Sequence, residues 1–150
     1  GFHPLDEADL SGADLRGIQR VEGCSASGIA ATAKAAPAPS AWMQTPLRNH
    51  WLADPLMLDS GFQLLIVWSF AEYQAGSLPS FIGKYRQFAP KFPADGGRIA
   101  ARIAQHDRHR AVADIEFLDR NGVLLARIEG YECAIDAALN AAFRRNALEG

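Results

Sequence analysis

The chain lacks several features that mark common classes of protein. Its 150 residues include two cysteines, Cys24 and Cys133, which are too few for a disulfide framework, and its formal net charge is -2. The longest apolar run lies within residues 64–70 and is far shorter than the roughly 20 residues that span a bilayer. No basic and then apolar signal segment opens the chain. We therefore expect a cytoplasmic protein with reduced thiols, and neither nucleic acid nor a membrane as its partner.

The length and composition of the chain favour a single domain. Hydrophobic residues make up 49% of the sequence and charged residues 21%, which is enough apolar surface for one core and too little charge for a disordered chain. The sequence opens at Gly1 without an initiator methionine, which suggests a piece of a longer protein. We therefore treat residues 1–150 as one domain and expect it to be a fragment of a larger one.

A helix is predicted over about residues 55–75. Asp54 can accept backbone hydrogen bonds as the N-cap, Pro55 suits the first helical position, and Gly76 is a candidate left-handed stop. Apolar side chains fall on nearly every face of this segment, which is the pattern of a helix covered on all sides. The sequence therefore predicts one long buried helix.

Two polar residues, Asp59 and Gln63, interrupt this apolar helix. They are four residues apart, so they lie on one face and can form a hydrogen bond. A carboxylate in apolar surroundings costs roughly several kcal/mol unless it is partnered, and burial raises the pKa of such a group. The pair is therefore the first candidate for catalysis, and the alternative is a buried pair that only fixes the position of the helix.

Strand patterns lie on both sides of the helix in the sequence. A hairpin is expected before it, with strands at residues 18–21 and 28–36. Four strands are expected after it, at residues 80–88, 98–106, 111–118 and 123–133. Asn121-Gly122 predicts a tight turn that pairs the last two strands antiparallel, and residues 134–147 are expected to form a short helix or coil. This order predicts an α+β fold in which a curved antiparallel β-sheet wraps around one long buried central helix. Such an arrangement is the hotdog fold.

Three stretches resemble the second half of the dehydratase domains of polyketide synthases and polyunsaturated-fatty-acid synthases, which are double hotdogs. Residues 54–63 (DPLMLDSGFQ) are similar to the family's D-x-x-x-Q stretch, with Asp54 where a His is common. Residues 78–83 (LPSFIG) are similar to its L-P-x-x-[IV]-G strand. Residues 11–18 (SGADLRGI) share the glycines, the arginine and the apolar ends of its Y-G-P-x-F-[RQ]-G-[LI] stretch. Together the matches extend over about residues 11–133 in the family's order.

The resemblance implies a reaction and a substrate. Such dehydratases remove water from a β-hydroxyacyl chain that is held as a thioester on the phosphopantetheine of an acyl carrier protein. A His of the first hotdog takes the α proton, and the Asp of the second hotdog helps the β-hydroxyl group to leave. Asp59 corresponds to that acid and Gln63 to the residue that orients it, and no cofactor is expected to bind the domain directly.

The family's catalytic base has no match in the sequence. Its motif is H-x-x-x-G-x-x-x-x-P, whereas His3 is followed four residues later by Glu7, and His50, His106 and His109 fail the same test. The chain therefore resembles the C-terminal hotdog alone, and we expect little or no activity without a His-bearing partner hotdog. Two alternatives stay open: a non-catalytic hotdog that shapes the synthase or contacts the carrier protein, and a stand-alone hotdog thioesterase or hydratase that acts as a homodimer.

The remaining candidate residues have simpler interpretations. His106 and His109 could ligate a metal, but further ligands are not near them in the sequence, and a solvated hairpin tip is favoured. Cys24 and Cys133 lack an activating neighbour and are expected to be inert. No metal site is therefore predicted.

Overall fold

The computed structural model describes residues 17–36 and 53–141. The elements in these ranges are β1 Ile18–Ser25, β2 Gly28–Ala33, α1 Pro55–Tyr73, β3 Gly76–Gln87, β4 Gly97–His106, β5 Arg110–Leu118 and β6 Leu124–Asp136. Residues 139–141 are also helical. The fold is α+β, in agreement with the prediction.

The six strands of the described ranges form one sheet in the order β1-β2-β4-β5-β6-β3, and all neighbours are antiparallel. The hairpins β1–β2 and β5–β6 were both predicted and are confirmed. Gly122 takes a φ of 84° in the second turn, where the carboxylate of Asp119 accepts hydrogen bonds from the backbone N–H groups of Asn121 and Val123. β1 and β3 are left as the two edges of the sheet.

The helix begins as the sequence indicated but ends differently. Asp54 is its N-cap and accepts two backbone N–H groups of the first turn, each at 3.0 Å. The C-cap is Gln74, which takes a left-handed φ of 55°, and not Gly76 as expected. Gly76 instead opens β3, where it pairs with Asp136, because strand pairing with β6 extends through the segment that was predicted as a loop.

α1 packs against the sheet through a fully buried side. Met57, Leu64, Leu65 and Trp68 are each 0% exposed, and the helix contacts β1 to β5. Gly61 allows a close approach, since a Cβ atom added there would lie 2.9 Å from Cζ of Phe117. No helix of the described residues combines the length and the apolar character that a membrane span requires.

Ion pairs connect the strands on the sheet. Arg102 and Arg127 both pair with Glu116, at 3.5 and 3.4 Å, and Glu129 pairs with Arg127 at 3.8 Å and with Arg86 at 3.4 Å. These pairs cross β4, β5, β6 and β3 in turn. Each such pair on a solvated surface contributes about 0 to 1 kcal/mol, so we read them as support for the strand register rather than as a charged binding patch.

Candidate functional site

Asp59 and Gln63 lie on the side of α1 that faces away from the sheet. Asp59 is exposed, whereas Gln63 and the intervening Phe62 are partly buried; we call these three residues the Asp59 face. The expectation that Asp59 is buried in this chain is wrong. The reason lies in the next two residues, Ser60 and Gly61, which are buried and turned toward the sheet. With 3.6 residues per turn, Gly61 lies almost opposite Asp59 on the helix.

Asp59 and Gln63 lie on the same face of α1, as their spacing requires. In the described structure their side chains do not form a hydrogen bond with each other. Asp59 is nevertheless the only exposed residue among residues 55–70 of α1. The carboxylate of Asp59 is therefore exposed to solvent, while the other residues of this segment are partly or fully buried.

The buried carboxylate of the region is Asp54, which is 2% exposed. Its two oxygens accept the N–H of Ala36 at 3.0 and 2.9 Å, and one of them also accepts the N–H groups of Leu56 and Met57. Three backbone donors therefore satisfy this group, which joins the residues after β2 to the start of α1. We interpret Asp54 as a structural residue.

An aromatic pair supports the Asp59 face from below. The rings of Phe62 and Tyr131 stack with centroids 5.4 Å apart and an interplanar angle of 15°. Tyr131 is 1% exposed, and burial raises the pKa of its hydroxyl group. The preceding residue, Gly130, takes a φ of 70° and donates its N–H to the carboxylate of Asp114 at 3.0 Å. This kink in β6 lies directly beside the stacked tyrosine.

The edge strand β3 carries several large exposed hydrophobic side chains. Leu78, Phe81, Ile82 and Tyr85 are 40 to 59% exposed, and we call this set the β3 edge. Ile82 is opposite Tyr131 and Tyr85 is opposite Ile128 in the register with β6. Ile82 and Tyr85 are therefore exposed although each lies opposite a buried residue of β6.

A second cluster of side chains lies at the other end of α1. His106 contacts the rings of Trp68 and Tyr73, and the Tyr73 hydroxyl forms a hydrogen bond with Nδ1 of His106. His106 therefore packs on the helix, which could not be predicted from the sequence because β4 and α1 are far apart in the chain. A cavity of about 700 Å³ nearby is lined by residues that include Glu72, Arg108, His109 and Asp136.

The turn between β4 and β5 is held by Asp107. Its carboxylate accepts the backbone N–H groups of His109 at 2.8 Å and Arg110 at 3.0 Å, and the bond from His109 is the main reason that the pKa of Asp107 lies below its usual value. In the described part of the chain, no three His, Cys, Asp or Glu side chains are grouped so as to hold a metal ion. His3 and His50 lie outside the described residues.

Both cysteines are buried free thiols. Burial raises the pKa of Cys24 to about 11, and burial also raises the pKa of Cys133. A thiol with a raised pKa is a poor nucleophile near neutral pH, so neither cysteine is a candidate for covalent catalysis.

The comparisons with known proteins agree with this architecture. Residues 5–138 match the family described as the polyketide synthase dehydratase N-terminal domain. The chain belongs to the polyketide synthase dehydratase family. Asp59 and Gln63 both lie within the matched residues. No curated protein sequence matches the chain.

Solved structures of dehydratase domains share the fold. The domain of PpsC from Mycobacterium tuberculosis, in complex with C12:1-CoA, is 21% identical with a TM-score of 0.63, and the match covers 91% of this chain and 53% of that chain. The domain from the CurJ module of Curacin polyketide synthase is 18% identical with a TM-score of 0.64, covering 93% and 50%. These likenesses show the fold, which is hotdog-like.

A shorter solved protein has the same kind of fold. The putative thioesterase yhdA from Lactococcus lactis is 13% identical with a TM-score of 0.56, and the match covers 73% of this chain and 82% of that chain. By contrast, the chain spans about half the length of the solved dehydratase domains that it matches.

Proposed function

We propose that this chain is the C-terminal hotdog half of a β-hydroxyacyl-(acyl carrier protein) dehydratase domain. In this reaction Asp59 donates a proton to the β-hydroxyl group, which leaves as water, and Gln63 orients the carboxyl group. A histidine of a partner hotdog removes the α proton, and the electron pair of the broken C–H bond forms the double bond. The observation that carries the proposal is Asp59, the only exposed residue among residues 55–70, on the open side of a helix otherwise partly or fully covered.

The choice of the C-terminal half rests on residues of this chain. The family description refers to an N-terminal domain, whereas the D-x-x-x-Q spacing of Asp59 and Gln63 is typical of the second hotdog. The first hotdog's H-x-x-x-G-x-x-x-x-P motif has no match in the sequence. These two features favour the half that carries the acid.

The catalytic base must then come from another hotdog. His106 contacts Trp68, which is nine residues beyond Asp59 and so about 13 Å further along the helix axis. His109 lines the cavity at the same end of α1. Neither histidine of the described residues is placed beside Asp59, so the chain alone is expected to show little or no dehydration.

The exposed side chains indicate where the partner hotdog binds. Ile82 and Tyr85 of the β3 edge lie opposite buried residues of β6 but remain exposed, and unpaired apolar edge strands are usually covered in stable proteins. A partner that pairs with β3 covers these residues and can also cover the Asp59 face.

The remaining parts of the proposal follow from the same assignment. The sheet curves around α1 as one long central helix, and residues 1–150 form one hotdog of a double-hotdog domain. The substrate arrives on the phosphopantetheine of an acyl carrier protein in the cytoplasm, and no cofactor binds the chain directly. The match to the dehydratase family supports the carrier-bound substrate, and the other points are part of the proposal.

Asp59→Asn in the intact parent protein is expected to reduce enoyl thioester formation by roughly 10²- to 10⁴-fold, because the amide cannot donate the proton. Glu72→Gln is the matched control, since Glu72 is also an exposed carboxylate of α1 but lies at its far end. The control should retain activity. Full turnover by Asp59→Asn would overturn the assignment and favour the non-catalytic hotdog.

The alternative of a homodimeric thioesterase or hydratase also uses the β3 edge. Its support is the yhdA structure, a chain of similar extent with the same kind of fold. A homodimer in solution that hydrolyses acyl thioesters without forming an enoyl product would favour this alternative over the dehydratase.

A further inference from the structure

Phe62 is the apolar member of the Asp59 face. It lies three residues beyond Asp59 and directly before Gln63, so its ring is on the same side of α1 and about 4.5 Å further along the helix axis. The side chain is partly exposed. A substrate whose β-hydroxyl group reaches Asp59 therefore has its neighbouring carbon atoms close to this ring.

The ring of Phe62 is fixed from the side of the sheet. It stacks on Tyr131, and Tyr131 is 1% exposed, so there is no free space below the phenylalanine. The hydrogen bond from the N–H of Gly130 to Asp114 secures the backbone next to Tyr131. Phe62 consequently cannot move toward the sheet to make room for a bulkier ligand.

The aromatic pair continues into the β3 edge. Ile82 is the cross-strand partner of Tyr131, and directly opposed side chains lie about 4.5 to 5.5 Å apart at Cβ. Ile82 is 45% exposed, so apolar side chains continue from Phe62 through the buried Tyr131 to the edge of the sheet. The matching ligand is an aliphatic chain rather than a polar group.

We infer that Phe62, held in place by Tyr131, is a specificity-determining residue that limits the bulk of the acyl chain close to its β-carbon. This inference rests on the proposed function, in which the β-hydroxyl group binds at Asp59. Removing the ring opens space on the Asp59 face, and enlarging it removes space.

The experiment uses the intact parent protein and two substrates, β-hydroxyvaleryl pantetheine and its γ-branched analogue β-hydroxy-γ-methylvaleryl pantetheine. The measured quantity is the ratio of kcat/KM for the branched substrate to kcat/KM for the straight one. Phe62→Ala should raise this ratio about tenfold, since one methylene in an apolar pocket changes discrimination by about 10- to 200-fold. Phe62→Trp should lower it.

Two control variants separate shape from general damage. Phe88→Ala removes an exposed ring at the end of β3 and should leave the ratio unchanged. Tyr131→Phe keeps the ring that supports Phe62 and should also leave it unchanged, so a shift in either control would overturn the steric explanation. Thermal unfolding of each variant verifies that it is folded, and Phe62→Leu replaces Phe62→Ala if the latter does not fold.

The possible results are distinct. Opposite shifts of the ratio in Phe62→Ala and Phe62→Trp support the inference, and equal ratios in wild type and both variants overturn it. Absence of enoyl product from either substrate with the wild-type parent overturns the proposed function itself, before any variant is compared.

Discussion

Two carboxylates five residues apart, Asp54 and Asp59, have opposite surroundings. Asp54 is buried and receives three backbone N–H groups, while Asp59 is exposed on the outer side of the same helix. The buried group is fully satisfied and stabilises the helix start, whereas the exposed group is free to meet a ligand or a partner. The difference supports a structural role for Asp54, whereas the catalytic role of Asp59 is our proposal.

Asp54→Ala is expected to lower the free energy of unfolding by about 2 to 4 kcal/mol, because it removes a helix N-cap and leaves the N–H of Ala36 buried without an acceptor. Asp54→Asn retains one carbonyl oxygen and should lose less. Urea denaturation of the two variants and the wild type measures the effect. Wild-type stability in Asp54→Ala would contradict the structural role.

The N-cap could be predicted from the sequence, because Asp followed by Pro is typical of a helix start. The exposure of Asp59 could not be read from the same segment. Apolar residues occupy nearly every face of the helix, so periodicity does not reveal which side the sheet covers. The adjacent small residues Ser60 and Gly61 were the available signal, since small side chains mark the side of close approach.

At the scale of elements, β3 and β6 determine the shape of the site. β6 has an irregular register with β5 between Ala113 and Ile115, next to Gly130 with its φ of 70°. β3 was predicted to start at residue 80 but begins at Gly76, because long-range pairing with β6 extends it. Residue propensities did not predict this extension. They mark Gly76 and Pro79 as local breaks and take no account of pairing with a strand that is distant in the sequence.

Gly130→Ala is expected to lower the free energy of unfolding by about 1 to 2 kcal/mol, since a Cβ atom disfavours a left-handed backbone. An added Cβ would lie 3.8 Å from Cα of Gly83, an ordinary contact, so the cost comes from conformation rather than from collision. Gly130→Asn should cost less because Asn tolerates this region better. Chemical denaturation distinguishes the two, and equal costs would contradict the conformational explanation.

At the scale of the whole molecule, three features of the chain bear on the proposed partner hotdog. The β3 edge is apolar and exposed, and the Asp59 face has no histidine beside it in the described residues. The chain also spans about half the length of the solved dehydratase domains that it matches. The partner hotdog that we propose, which pairs with β3 and contributes the base, accounts for all three features.

Ile82→Lys combined with Tyr85→Lys is expected to weaken binding of the partner hotdog by roughly tenfold or more, since both changes place charge in an apolar interface. Val123→Lys is the control, because Val123 is 59% exposed but lies in the β5–β6 turn. Analytical ultracentrifugation of the mixed halves measures the association. Unchanged association in the double variant would show that the partner binds elsewhere.

The most direct test of the central claim is complementation between separately produced halves. Enoyl thioester formation is measured for this chain alone, for a His-bearing partner hotdog alone, for their mixture, and for the mixture with Asp59→Asn. The account predicts product only in the unmodified mixture. Dehydration by this chain alone, or an active mixture that contains Asp59→Asn, would contradict it.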